Sequence, residues 1–334
     1  PTQQAASVLM GTLATTDPAT AAAFTQQLGL GGFIVMPPNV GGDPAQLAAL
    51  TAALSPDPAL PLLVAIDEEG GTVTRLPWDS YPGSDTLKDA APDATREAFA
   101  GRAQLLSAAG VNVNFGIVAD VSADPWSFIF PRALGTDFAA AAARVPEAVE
   151  GEQGSNDIST PPPSRVASTL KHFPGHGAAS GDSHLGIPHT EIPLAEWRES
   201  HAVPFAAGID AGAQLLMMGH LAFTSVDPTP ASLSPAWHAI ARDELEFTGV
   251  IVSDDLGMLL DSGVPAYADL VSVTVAALAA GTDLALLVRG GDPQTLGAVI
   301  DGISAAVASG SLPAERLREA AIRVVALRLA LAAS

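Results

Sequence analysis

Gly249-Val-Ile-Val-Ser-Asp-Asp-Leu-Gly-Met258 is an apolar run that ends in two carboxylates, and Val166-Ala-Ser-Thr-Leu-Lys-His-Phe173 is another that ends in an ammonium and an imidazole. Short runs of β-branched and other apolar residues bounded by Gly or Pro read as buried strands. Polar groups at their ends decide the fold, because α/β enzymes carry their reactive side chains at strand C-termini.

Outward from these two, six more such runs appear: Val8 to Leu13, Gly32 to Met36, Leu62 to Asp67, Val111 to Val118, Gln214 to His220 and Asp283 to Val288. Between them lie Ala-rich segments with helical spacing, among them Pro18 to Leu28, Pro44 to Leu54, Arg96 to Ala109, Leu194 to Ala211, Pro235 to Glu244, Tyr267 to Ala280 and Pro293 to Ala308. Eight β/α units predict an α/β protein, a single-domain (β/α)8 TIM barrel over residues 1–334. The rival is a doubly wound open sheet, which would gather its ligands at one switch point. Here Asp67, Asp120, Lys171, His172, His220 and Asp254 are spread over many strand ends, which favours the barrel. Gly151 to Ser164, with its Gly-Ser-Asn-Asp and Pro triplet, reads as a surface insertion before the fifth strand. A last amphipathic helix, Pro313 to Ala332, is expected to close the barrel's outside.

A length of 334 residues suits one such barrel, and 48% hydrophobic residues supply its core. No stretch approaches the roughly 18 apolar residues of a membrane span. The formal net charge is −21 and Lys and Arg are nowhere clustered, which argues against nucleic acid as a partner and for a neutral ligand. Without cysteine there is no disulfide framework, zinc-thiolate site or thiol catalysis. The start at Pro1, without a leader in front of it, fits an exported or envelope-associated chain, with the cytoplasm as the alternative.

The chemistry rests on pairs. Asp182 and His184 lie two apart in a Gly-rich loop, where extended backbone sets both on one side and the carboxylate can orient the imidazole as a general acid/base. Asp254, at the tip of the seventh strand, reads as a nucleophile or a metal ligand, whereas Asp255 competes with a helix-capping role. A carboxylate nucleophile facing a proton donor is the arrangement that replaces a glycosidic bond with retention. Lys171, one of two lysines, and His172 read as donors for sugar hydroxyls. Asp67-Glu-Glu-Gly-Gly71 is either a solvated turn or a site in which Asp67 accepts from those hydroxyls. Arg132 is either a surface charge or a ligand clamp. His172, His176, His184 and His189 crowd together at spacings unlike common zinc patterns, so no metal and no organic cofactor are expected.

The Lys171 to His184 run, the Asp67 turn, Asn112-Val-Asn-Phe leading to Asp120, the Arg132 segment and Ser253-Asp-Asp-Leu-Gly-Met together resemble glycoside hydrolase family 3, in its β-N-acetylglucosaminidase branch. The resemblance spans about Val8 to Arg328. It implies a retaining mechanism with Asp254 as nucleophile and His184, oriented by Asp182, as acid and then base. It also implies that Asp67, Arg132, Lys171 and His172 hold a terminal N-acetylglucosamine, with His220 and Met258 lining the same cavity. The implied substrates are GlcNAc-containing peptidoglycan fragments or chitooligosaccharides; transfer to phosphate by the same residues is the alternative. Glu68 stands where relatives commonly carry Gln, and Thr72 where many carry Arg. Many relatives add a further domain that supplies the acid/base, so here the Asp182–His184 loop is expected to supply it.

Overall fold

The computed structural model describes residues 2–154, 166–179, 181 and 186–333. Each of the eight apolar runs carries a strand: β1 (Leu9–Gly11), β2 (Gly32–Val35), β3 (Leu63–Ile66), β4 (Val113–Val118), β5 (Ala167–Phe173), β6 (Leu215–Met218), β7 (Val250–Ser253) and β8 (Ala285–Leu287). They pair in parallel in chain order, and β8 returns to β1 through the register Leu9 to Ala285. Between β7 and β8 the ring is joined by a single parallel bridge, Val252 to Leu284, and by the Ser253 amide donating to the Leu284 carbonyl at 3.1 Å. The fold is therefore the expected (β/α)8 barrel, with its seam at β7 and β8.

Alternation along each strand divides the core. Met10, Ile34, Leu63, Ala65, Val113, Phe115, Ala167, Leu215, Met217, Val250, Val252, Leu284 and Leu286 pack together as the barrel's filling. Their neighbours of opposite parity, such as Phe33, Val64, Leu170, Leu216 and Ile251, face the surrounding helices. Burial of this kind is worth roughly 25 cal/mol per Å² of apolar surface, and it fixes which side chains can reach the mouth.

Several helices begin where an Asp precedes a Pro: Pro18–Leu28, Pro44–Leu54 and Pro293–Ser309 are capped by Asp17, Asp43 and Asp292. The carboxylate satisfies free N–H groups of the first turn, and proline at the first position loses no bond. The Leu194 to Ala211 segment, expected as one helix, is two, Leu194–Glu199 and Ala202–Asp210. Between them His201 is buried against Phe138 and Phe223.

Two expectations need correction. Gly151 does not open an insertion: it lies in the last turn of a helix, Phe138–Gln153, that packs against Pro92–Ala108. A Cβ at Gly151 would stand 2.5 Å from the Arg96 carbonyl, so the glycine is there for helix contact. The remainder of that stretch, 155–165, falls outside the described residues. The last helix, Ala314–Ala333, does not lie on the outside; Val324, Leu327 and Leu331 pack onto the inward-facing strand residues. Arg328 donates to the carbonyls of Leu60 and Pro61 ahead of β3, so this helix plugs the N-terminal end of the barrel.

Candidate active site

Strand parity carries three charges into the C-terminal mouth. Asp67 continues Leu63 and Ala65, Lys171 continues Ala167 and Thr169, and Asp254 continues Val250 and Val252, each two residues beyond an inward side chain. The register between β5 and β6 shifts between Leu170 and Phe173, at the two residues that bear Lys171 and His172.

Lys171 is buried and its ammonium lies 3.0 Å from Asp67 Oδ1 and 2.7 Å from Glu69 Oε1. Arg132 grips Glu69 with both arms, Nε to Oε2 at 2.9 Å and Nη2 to Oε1 at 2.8 Å. Burial pushes the Glu69 carboxyl up, but Lys171 and Arg132 outweigh it and bring it down to about 2. Burial likewise opposes charge on Lys171 and Arg132, yet the facing carboxylates raise both above their ordinary values. Arg75 reaches Asp67 Oδ2 at 3.5 Å from the far side of the same turn. The Asp67 turn is thus a desolvated charge network in which Glu69 is the hub.

That turn needs its glycines. Gly70 and Gly71 sit at φ +80° and +67°, and a Cβ on Gly70 would meet Arg102 Nη2 at 2.1 Å. Behind them Arg102 pairs with Asp79 at 2.7 Å, both buried. Glu68 faces this side and not the mouth: its Oε2 accepts from the amides of Arg75 and Leu76 at 2.8 and 2.9 Å. Burial, helped by Asp79, pushes Glu68 up to about 8 against those two amide bonds, so near neutrality it is a neutral acid. A neutral carboxyl presents an acceptor and a donor as an amide does, so the Gln-to-Glu departure leaves the ligand side untouched. Thr72 is exposed, and Arg75 supplies the turn's cation at the mouth.

His172 follows Lys171 and is held by Asp120, which follows β4. Its Nδ1 lies 2.7 Å from Asp120 Oδ2, and its amide is 3.2 Å from both carboxylate oxygens. Asp120 also accepts from the His176 amide at 2.6 Å. Burial together with Arg132 lowers the His172 imidazole well below its ordinary value, so the ring is neutral. The tautomer this pairing selects carries Nδ1–H toward Asp120 and leaves Nε2 as an acceptor. The Nε2 atom of His172 is therefore left with a lone pair, whereas the sequence suggested a donor.

Asp254 ends β7 half-buried, its amide bonded to the Met218 carbonyl and its Oδ1 accepting from the Asp255 amide at 2.8 Å. Burial raises its carboxyl, but its surroundings, His220 first and the Asp255 amide and Lys171 with it, more than offset this and hold it below the ordinary value. Asp255 takes the capping role: it accepts from Gly257, Val288 and Arg289 amides and opens a turn of helix at Leu256. His220 stands behind this pair, fully buried, with Nδ1 2.7 Å from Ser232 Oγ and Nε2 2.9 Å from the Asp255 carbonyl. Both its ring nitrogens are engaged, so it props the strand tip and does not line the cavity. Met258 does line it, in a cavity of about 190 Å³ with Met36, Asp67, Arg75 and Asp254.

Asp182 and His184 lie outside the described residues. Among the described residues no three His, Cys, Asp or Glu side chains are grouped to hold a metal ion, and no helix is long and apolar enough to cross a membrane. A larger cavity, about 1020 Å³, lies at the opposite end between the first and last helices, remote from these groups. Glu69 and Asp120 are the residues that sequence reading underweighted. Glu69 reads as part of an acidic turn, and only the cations reaching it from the fourth and fifth units reveal its place.

A barrel whose mouth joins a strand-tip carboxylate to hydrogen-bonding and charged groups is suited to a polar ligand. Residues 9–327 match the glycosyl hydrolase family 3 N-terminal domain. A beta-hexosaminidase of Pseudomonas aeruginosa is 36% identical over 270 residues, 77% of this chain and 75% of its own. Another from Xylella fastidiosa is 34% identical over 290 residues, 84% of this chain and 82% of its own. A family 3 β-N-acetylglucosaminidase from Paenibacillus superposes with a TM-score of 0.88 at 31% identity, covering 99% of this chain. The chain spans 62% of that protein's length. The chain belongs to glycosyl hydrolase family 3 and is a glycoside hydrolase.

Proposed function

We propose that this chain is a retaining exo-β-N-acetylglucosaminidase that releases terminal GlcNAc from peptidoglycan fragments or chitooligosaccharides. The observation that carries the reading is Asp254, a half-buried carboxylate at a strand tip, held below its ordinary acidity range in the cavity that Asp67 and Met258 also line. The names borne by its relatives agree with it.

In this reading Asp254 attacks the anomeric carbon while the glycosidic C–O bond breaks and His184, steered by Asp182, protonates the departing oxygen. The same imidazole then takes a proton from water, which attacks the anomeric carbon and frees the Asp254 carboxylate. An imidazole with an unperturbed value near 6.5 can do both near neutrality. Asp67 and the third N–H of Lys171 address ring hydroxyls, His172 Nε2 accepts from one, Arg132 locks Glu69 beneath them, and Met258 walls the cavity. His220 positions Asp254 through Asp255. Phosphorolysis by the same residues finds no specific support, since the relatives above carry the hexosaminidase name.

Asp254→Asn is expected to lower kcat on an aryl β-GlcNAc substrate by roughly 10³-fold or more with an unchanged thermal midpoint. Near-normal turnover would remove the nucleophile assignment. Chitobiose incubated with and without phosphate should release the same free GlcNAc at the same rate.

A further inference from the structure

Trp126 is 92% exposed, the most solvent-open large hydrophobic side chain among the described residues, although it follows β4 within the ring of loops around the mouth. It walls a cleft of about 430 Å³ between the segment after β4 (Ser122, Asp124, Phe128) and the segment after β5 (Gly177, Gly181). The loop that carries it is built and not loose. Ser122 Oγ accepts from the Asp124 amide at 3.3 Å, Asp124 Oδ1 accepts from the Trp126 amide at 3.0 Å, and the Asp124 carbonyl accepts from Ser127 at 3.0 Å. At Gly177 a Cβ would come within 1.9 Å of the Val121 carbonyl, so the two segments meet backbone to backbone.

This cleft adjoins the sugar-holding groups through one ring. Phe128, in its wall, has the Arg132 guanidinium 5.6 Å from its ring centroid and the His176 ring edge-to-face at 4.8 Å. His176 in turn meets His172 at 5.9 Å. Gly181, in the opposite wall, immediately precedes Asp182 in the chain. In the glycosidase reading above, the departing group lies beside the acid His184, three residues further along the chain.

Resting on the glycosidase reading above, we propose that this cleft is the leaving-group subsite and that the Trp126 indole is the platform on which the departing pyranose stacks. A pyranose presents axial C–H bonds on one face and hydroxyls around its edge. An exposed aromatic face with Ser122, Asp124 and Ser127 on its rim matches both. Trp126 thereby selects aglycones that are sugars.

The test compares kcat/KM for chitobiose, whose leaving group is a pyranose, with that for the β-fluoride of GlcNAc, whose leaving group fills no second subsite. In Trp126→Ala the chitobiose value should fall about 10-fold, chiefly through KM, while the fluoride value stays within about twofold, and Trp126→Phe should recover most of the loss. Equal losses on both substrates, or no loss on chitobiose, overturn the subsite while leaving the glycosidase reading intact. A wild-type enzyme that turns over neither substrate overturns both.

Discussion

At the scale of single residues, Glu68 and Glu69 are neighbours whose acidities are driven apart by what each one faces. Glu69 points at Lys171 and Arg132 and falls to about 2, whereas Glu68 points into a dry pocket beside Asp79 and rises to about 8. The signs of their pH effects are opposite. Glu69, lowered from 4.5, contributes stability that is present above that value and is lost as pH falls toward about 2. Glu68, raised from 4.5, holds its proton more tightly when folded, so its contribution is present at low pH and is lost as pH rises through about 8. Glu68→Gln keeps the acceptor for the Arg75 and Leu76 amides and a donor toward Asp79 without the titration. Its thermal midpoint should match wild type at pH 5 and exceed it at pH 9 by about 2 °C or more, the equivalent of roughly 1 kcal/mol in a chain of this size. Parallel pH profiles for the two proteins would refute the neutral-acid assignment. Asp67, Lys171 and Asp254 were legible in the sequence because each ends an apolar run at inward parity. Glu69 was not, since its role depends on cations contributed from residues 63 and 102 positions further along the chain.

At the scale of elements, one aspartate ties two strand ends together. Asp120 leaves β4 and binds the backbone and imidazole of His172 and the amide of His176, the three groups that shape the exit from β5. Asp120→Ala removes those acceptors from a buried site and frees His172 to change tautomer. A loss in kcat/KM on the order of 100-fold is expected, with a stability cost of about 2–4 kcal/mol in denaturant titration. Asp120→Asn, which keeps one acceptor, should lose less of both; an Asn variant as impaired as the Ala variant would count against this account. Helices that open with Asp-Pro were readable to within a residue at their starts, because the cap and the proline act locally. Phe138–Gln153 escaped notice because Pro146 and Gly151 lie within it, residues that punctuate a sequence but here fit a helix packed closely on Pro92–Ala108.

At the scale of the whole molecule, the barrel's seam is held at its base by Asp283, buried just ahead of β8. Its Oδ2 accepts from Arg242 at 2.5 Å and from the Ile251 amide at 3.0 Å, and its Oδ1 meets Arg316 and, at 3.2 Å, Arg323. One carboxylate thereby joins β7, the segment leading into it and the helix that plugs the barrel. Asp283→Ala leaves three arginines facing a void and should cost about 3–5 kcal/mol, while kcat per folded molecule stays unchanged because the mouth is at the other end. An unfolding midpoint like that of wild type would contradict this role. The eight-unit barrel was legible from the recurrence of runs with polar ends. The seat of the last helix was not, because an amphipathic face announces that it will be covered without saying by what.

Catalysis in the proposed reaction turns on Asp254 forming a covalent bond to the sugar. Intact and peptide mass spectrometry after reaction with a ring-fluorinated GlcNAc fluoride, which slows release of the glycosyl group, reads that bond directly. The predicted result is one added sugar per chain, carried by the peptide that contains Asp254 and absent from Asp254→Asn. A label on another carboxylate, or inactivation-free turnover with inverted product configuration, would contradict it.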